Sequence, residues 1–294
     1  MTAQVEIEPL TSKLHARVLP RADEATDQTP AVKLAPTHPG FSDPAYRARR
    51  DEIARIASTY QPGGIVPDAP YTAAEDRLWH DIWTALGPAH KRHACAEYLE
   101  CLRRLDLPRA RVPQLREVNE RLKRLSGFQL QPVSGLVKSR VFFESLARGV
   151  FMCTQYIRHH STPHYTPEPD VVHELIGHAV WLASEPMAEL NRLIGEAVKR
   201  AQSAASLKQL VRLYWFTIEF SVLREAGALK AFGTGLLSSA GELEAMHKAE
   251  LRPLDLDAAV QLDFDPTKYQ PILFCADSFA EMYQRLRDYL VRLR

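Results

Sequence analysis

The chain lacks any apolar run long enough to cross a bilayer, and its opening residues, MTAQVEIEPLTSKLHARVLP, lack the apolar stretch of a secretory signal. The expected location is therefore the cytoplasm. Neither sign of charge is in excess. With 37 basic and 36 acidic residues the formal charge is +1, which offers no attraction for nucleic acid or an anionic membrane. Cysteine is sparse: Cys95, Cys101, Cys153 and Cys275 make no Cys-x-x-Cys pair and no dense framework, so they read as reduced, buried thiols without chemistry. A G-x-G-x-x-G turn of the dinucleotide-binding kind is also missing, which argues against a bound nicotinamide or flavin.

A length of 294 residues with 46% hydrophobic content suffices for one sizeable core. Residues 1–67, rich in Pro, Thr, Ala and charge, are expected to form a poorly structured N-terminal extension. One short helix from Pro44 onward is possible there, carried by a thin stripe of Ala45, Tyr46, Ile53, Ile56 and Tyr60. From Ala73, apolar residues recur three and four apart, predicting helices over residues 73–90 and 94–107, with a break at Gly87-Pro88. Further helices are expected over residues 139–148, 170–184, 186–204, 207–225 and 278–293, and strands at 128–133, 229–232 and 272–275. The fold class that follows is mainly α with a minor β component (α+β), with one catalytic domain over residues 68–294.

The chemistry concentrates in Tyr165-Thr166-Pro167-Glu168-Pro169-Asp170-Val171-Val172-His173-Glu174-Leu175-Ile176-Gly177-His178. The segment HELIGH invites comparison with H-E-x-x-H zinc proteases, whose histidines stand four apart on one helical face. Here they stand five apart. On a regular helix that spacing separates two side chains by about 140°, against about 40° for a spacing of four. Both reach one metal only if His173 lies at a helix start or a local distortion. Pro167 and Pro169 bar a helix upstream, and Asp170 is a good N-cap residue, placed also to accept the ring N–H of His173. Glu219 supplies a third ligand: it lies in Tyr214-Trp215-Phe216-Thr217-Ile218-Glu219-Phe220, among apolar neighbours where a carboxylate needs a cation or donor. Two imidazoles and one carboxylate make a facial triad that leaves coordination positions open on iron(II) and suits dioxygen activation.

Six blocks now occur in a recognisable order: VPQLREVNERLKRLSGF, PVSGLVKSRVFF, CTQYIRH, YTPEPDVVHELIGH, YWFTIEF and LKAFGTGLLSSAGEL. Over about residues 68 to 290 the chain resembles the catalytic domain of the pterin-dependent aromatic amino acid hydroxylases, above all the members acting on phenylalanine. The resemblance implies Fe(II), O2 and tetrahydrobiopterin or a related tetrahydropterin as the cofactor set, and ring hydroxylation of L-phenylalanine to L-tyrosine. It places the pterin at Gly135, Leu136, Val137, Ser139 and Phe142, and puts Glu174 and Tyr214 beside the pterin and the oxygen site. Arg158 matches the clamp for the substrate carboxylate, a task its two-pronged donor geometry suits. Thr166, Pro167, Trp215, Gly235 and Ser239 match other substrate-pocket positions, and Asp170 and Ser238 match residues that hold His173. His159, His160 and His164 read as polar loop residues.

The chain departs from the family's usual H-V-P at His178-Ala179-Val180-Trp181, which makes Trp181 a candidate determinant of the oxidised ring position. Meta-hydroxylation of phenylalanine, hydroxylation of tyrosine or tryptophan, and a zinc hydrolase with Glu174 as general base are the alternatives. Without a regulatory domain or a coiled-coil tail of the family's tetrameric type, the chain is expected to be a monomer whose partner is a small aromatic amino acid.

Overall fold

The computed structural model describes residues 34–166 and 168–293. The first helices are α1 (Pro44–Ala57), α2 (Ala73–His93), α3 (Ala96–Leu105) and α4 (Leu115–Leu125). A short parallel pair, β1 (Gln129–Pro132) and β2 (Val150–Cys153), flanks α5 (Ser139–Ala147). A π-helical stretch, His173–Ala179, runs into α6 (Val180–Leu182), followed by α7 (Glu185–Arg200) and α8 (Ala204–Tyr214). A second π-helical stretch, Trp215–Glu219, leads into β3 (Ser221–Glu225) and β4 (Ala228–Ala231). Then come α9 (Thr234–Leu237), α10 (Ala240–Ala245), β5 (Glu250–Pro253), α11 (Leu256–Ala259), β6 (Ile272–Ala276) and α12 (Phe279–Arg292).

Local chemistry accounts for several boundaries. Thr72 opens α2 with a capping box: its hydroxyl accepts from the Glu75 N–H at 3.2 Å, while the Glu75 carboxylate accepts from the Thr72 N–H at 2.7 Å. Ser278 caps α12 by accepting from the Glu281 N–H. The β3–β4 hairpin turns on Ala226 and Gly227, both at positive φ, as a two-residue turn that matches strand twist demands. The four-stranded sheet runs β4-β3-β6-β5, with β3 antiparallel to β4 and the other pairs parallel. Because β3 begins two residues after Glu219, the sheet anchors the end of that ligand-bearing segment. Trp79, Tyr98, Phe143, Trp181 and Trp215 are among the large side chains buried in the core.

Mainly helical architecture with a minor sheet is what the chain adopts, and β1, β4 and β6 fall where strands were expected. Three expectations are corrected. The helix expected over residues 207–225 stops at Tyr214; the apolar run Ser221-Val222-Leu223 is buried on both faces of a strand, where a helical stripe and a core strand look alike. No break occurs at Gly87-Pro88, since α2 carries Pro88 inside it, and α4 was not foreseen.

The third correction concerns the segment before residue 68. Among its described residues the short helix expected from Pro44 is present as α1, with Asp43 accepting from the Ala45 and Tyr46 N–H groups, but it packs more firmly than a poorly structured extension would. It packs through apolar residues and a cation together: Ile53, Ala54 and Ala57 are buried, with Ile53 clustered with Ala69 and Tyr156, and buried Arg50 lies 3.8 Å above the Tyr156 ring and hydrogen-bonds to Glu168. The Tyr46 hydroxyl donates to the Ile157 carbonyl, and His38 meets the Glu168 carboxylate at 3.1 Å. The Ile53 part of this anchor lay in the expected stripe, whereas its charged part escapes any search for hydrophobic periodicity.

Candidate metal centre

The five-residue spacing of the histidines is resolved by the backbone. Residues 173–179 hydrogen-bond in the i→i+5 pattern, seen in the Val180 N–H bonded to the Leu175 carbonyl, so residues five apart lie one turn apart. The Nε2 atoms of His173 and His178 stand 3.0 Å apart, their rings at 82°. Asp170 starts this helix as expected, its carboxylate accepting from the His173 N–H at 3.1 Å. Glu219 closes the second π-helical stretch, where the Phe220 N–H bonds to the Trp215 carbonyl, again five residues back. Its Oε1 lies 3.0 Å from His178 Nε2 and its Oε2 3.6 Å from His173 Nε2. One donor atom from each of the three lies within 4.8 Å of the other two, a spacing that fits one metal ion.

The protonation states suit ligation. Burial drives His173 down to about 4 despite the neighbouring Glu219 charge, leaving it a neutral imidazole. Burial alone would raise Glu219, but the two imidazoles and a 2.8 Å hydrogen bond from the Thr234 hydroxyl hold it at about 2. Two imidazole nitrogens and one carboxylate are the donor set of a non-haem iron(II) site. The surrounding groups fix the ligands. Ser238 Oγ lies 3.0 Å from His173 Nδ1, the ring nitrogen turned away from Glu219. That corrects the expectation that Asp170 accepts this ring N–H: Asp170 serves the His173 backbone instead. A Cβ on Gly233 would stand 2.2 Å from the Glu219 carbonyl oxygen, so only glycine lets the β4–α9 link pass behind the ligand.

Tyr214 is placed differently from its expected position beside the oxygen site. Its hydroxyl lies 3.4 Å from His178 Nδ1, and its ring packs edge-on against Phe142 and Phe143, so it stands behind a ligand and lines neither of the cavities that meet the triad. Glu174 does face a cavity. Burial pushes its carboxyl up to about 7, although the backbone N–H and hydroxyl of Thr154 both donate to it.

Two cavities share Pro169, His173 and Glu219 as walls. The first brings together Gly135, Leu136, Val137 and Phe142 with Glu174 and His178. Ser139 does not line it; this residue begins α5 and is buried. The second brings together Arg158, Thr166, Trp215, Gly235, Ser238 and Ser239. Arg158 is buried and locked by Asp170, with Nε–Oδ2 at 3.0 Å, Nη2–Oδ1 at 2.8 Å and the Arg158 N–H on Oδ2 at 2.7 Å. Its Nη1 makes longer contacts to the Pro163 and Ser238 carbonyls, 3.3 and 3.5 Å. The Trp215 indole donates to Gln270 and stacks on Phe264 at 4.0 Å, while the Phe220 ring packs against Gly235. Thr166 closes its loop by donating to the Glu168 carbonyl, and Ser239 donates to the His164 carbonyl. Pro167 lies outside the described residues.

Sequence reasoning missed Thr154, Thr234, Glu168, Phe220 and Glu242. All five lie inside the six quoted blocks, and that was the available signal. His159 has its ring nitrogens facing Asp43 and Ser161, consistent with a polar loop residue. Trp181 is corrected outright: 1% exposed, it donates to the Phe232 carbonyl and packs on Tyr98 and Phe279, away from both cavities. Among the described residues no helix is long and apolar enough to cross a membrane.

Comparison with known proteins bears on the same site. Residues 23–294 match the model of the family described as biopterin-dependent aromatic amino acid hydroxylase. The tyrosine 3-monooxygenase of Bos taurus is 43% identical over 263 residues, covering 87% of this chain and 53% of that protein. The phenylalanine 3-hydroxylase of Streptomyces coeruleorubidus is 42% identical over 245 residues, 83% of this chain and 88% of that protein. A crystal structure of Chromobacterium violaceum phenylalanine hydroxylase with bound iron(III) and oxidised cofactor 7,8-dihydrobiopterin superimposes with a TM-score of 0.70 at 30% identity, covering 76% of this chain and 82% of that one. The chain thus spans about half the length of the tyrosine 3-monooxygenases it matches. With a family model matched over nearly its whole length and a ligand triad to go with it, this chain belongs to the biopterin-dependent aromatic amino acid hydroxylases.

Proposed function

We propose that the protein is a monooxygenase that hydroxylates L-phenylalanine to L-tyrosine with Fe(II), O2 and a tetrahydropterin. The observation that carries this reading is the meeting of two cavities at one triad, one lined by Phe142 and Phe151 beside the 135–137 backbone and the other by a guanidinium beside an indole wall. When bound, iron(II) offers open positions to dioxygen, and the pterin supplies two electrons that, with two from the aromatic ring, reduce it to one hydroxyl group and one water.

The chain's own residues do the positioning. Phe142 gives the pterin a stacking face, and the glycine at 135 permits close backbone approach. Arg158, held rigid by Asp170, receives the substrate carboxylate, while Trp215 and Phe220 bound the aromatic ring. Glu174, with its carboxyl near neutrality in the wall between Thr154 and the triad, is placed to hold or give up a proton at the pterin edge. Tyr214 keeps the His178 imidazole oriented.

The test is an anaerobic iron reconstitution followed by oxygen, reduced pterin and phenylalanine, tyrosine or tryptophan, with products resolved by ring position. The expected product is para-tyrosine. Iron-loaded protein that oxidises no aromatic amino acid would defeat the reading. Meta-tyrosine is the second outcome with support, since two of the similar proteins are named for oxidation at position 3. Trp181→Phe is expected to leave the product position unchanged and to cost about 2 kcal/mol of stability by orphaning the Phe232 carbonyl. A changed product ratio with unaltered melting would return Trp181 to the substrate path.

A further inference from the structure

Four carboxylates stand in or behind the wall of the Arg158 cavity, and three have partners. Glu219 faces the two histidines, Glu168 receives Arg50 and His38, and Asp170 receives Arg158. Glu242 is different. It lies in the first turn of α10, is 4% exposed and lines the cavity, yet no described residue donates to its carboxyl. The hydroxyl of Tyr165, lining the same cavity, is also buried without a partner. Native interiors rarely leave such groups unmatched, because an unpaired buried carboxylate is costly. Burial alone pushes the Glu242 carboxyl up to about 8, and a cation brought by a ligand would relieve that cost.

The placement indicates which cation. Arg158 Nη1 reaches the Ser238 carbonyl at 3.5 Å, and the next residue, Ser239, caps α10 by accepting the Glu242 N–H at 3.2 Å. Within one turn of chain the wall therefore passes from a guanidinium contact to an unpaired carboxyl. A carboxylate site and an ammonium site side by side are the complement of an α-amino acid. We propose that Glu242 binds the α-ammonium group of the substrate, so that the cavity recognises the zwitterion and rejects aromatic acids that lack the amine. The inference rests on the reading of this cavity as the amino acid site. It adds an energetic requirement that Arg158 alone does not impose.

The experiment is equilibrium calorimetry on iron-loaded protein under argon, with L-phenylalanine and 3-phenylpropanoate as ligands. Wild type should prefer phenylalanine by at least ~10-fold, and Glu242→Gln should weaken phenylalanine by roughly 30-fold, as expected for loss of a charged hydrogen bond. Binding of 3-phenylpropanoate should stay the same or tighten in Glu242→Gln, and Glu242→Asp should recover part of the phenylalanine affinity. Equal weakening of both ligands would mark a merely structural role and overturn the proposal, as would unchanged phenylalanine binding. Wild-type protein that binds the two equally overturns it without any variant. Wild-type protein that binds no aromatic amino acid defeats the amino acid reading itself, which separates that failure from the failure of Glu242.

Discussion

Glu219→Ala should bind iron at least ~100-fold more weakly than wild type and yield no detectable hydroxylated product, a loss beyond the 10–100-fold that changes around metal ligands cause. The carboxylate is the sole anionic member of the triad, so its removal leaves two imidazoles and no negative charge facing a divalent ion. The helical content should persist, because the Phe220 N–H bonds to the Trp215 backbone and β3 remains paired on both sides. Metal analysis after anaerobic reconstitution, together with circular dichroism, checks both halves. Full iron content in the variant would transfer the ligand role to another carboxylate, such as Glu174 in the cavity beside the histidines.

Asp170→Asn should have the second largest effect, because it strikes the proposed carboxylate clamp, Arg158, and the backbone of His173 at once. Arg158 and Asp170 are each about 1% exposed at the side chain, and removing one charge of such a pair costs about 3–5 kcal/mol because the other is left buried. For a chain of this size the melting temperature should drop by roughly 6–15 °C. The amide nitrogen of Asn would also point a donor at a guanidinium that already has only donors. The apparent requirement for amino acid should rise at least ~10-fold, since the Arg158 Nη1 position depends on the Nε and Nη2 bonds behind it. Iron retention should fall less than in Glu219→Ala, because the oxygen that accepts the His173 N–H can be kept. Melting and amino acid requirement both unchanged would mean that the pair neither stabilises nor positions anything.

Much of the site was legible because its ligands sit in short local patterns. His173, His178 and their cap fall within nine residues, and the demand for a helix start or distortion followed from counting alone. Contacts between distant segments were not legible that way. Ser238 meets His173 from 65 positions away, a contact that only the resemblance of its block implied, and Thr234 meets Glu219 across the hairpin with nothing near Glu219 to announce it. Trp181 misled for the opposite reason: adjacency to the motif suggested a role, but one helical step turned it into the core against Tyr98. The segment ahead of residue 68 was undervalued because, beside the Ile53 contact that its thin stripe announced, Arg50 anchors it through Tyr156 and Glu168, contacts made with charge. Glu242 escaped notice as an ordinary first-turn acid, and only its empty surroundings distinguish it.

The two π-helical stretches carry a cost of their own. Each holds one residue more than regular α-helix register would, and each ends at or beside a metal ligand. Forcing the first stretch into ordinary i→i+4 register without changing its length would turn His173 and His178 about 140° apart around the helix. The healed helix would be more regular, and the ligand would point elsewhere. Regularity and reactivity therefore compete for the same backbone, and a stabilising search that rewards ideal helices would remove the iron site before touching a ligand.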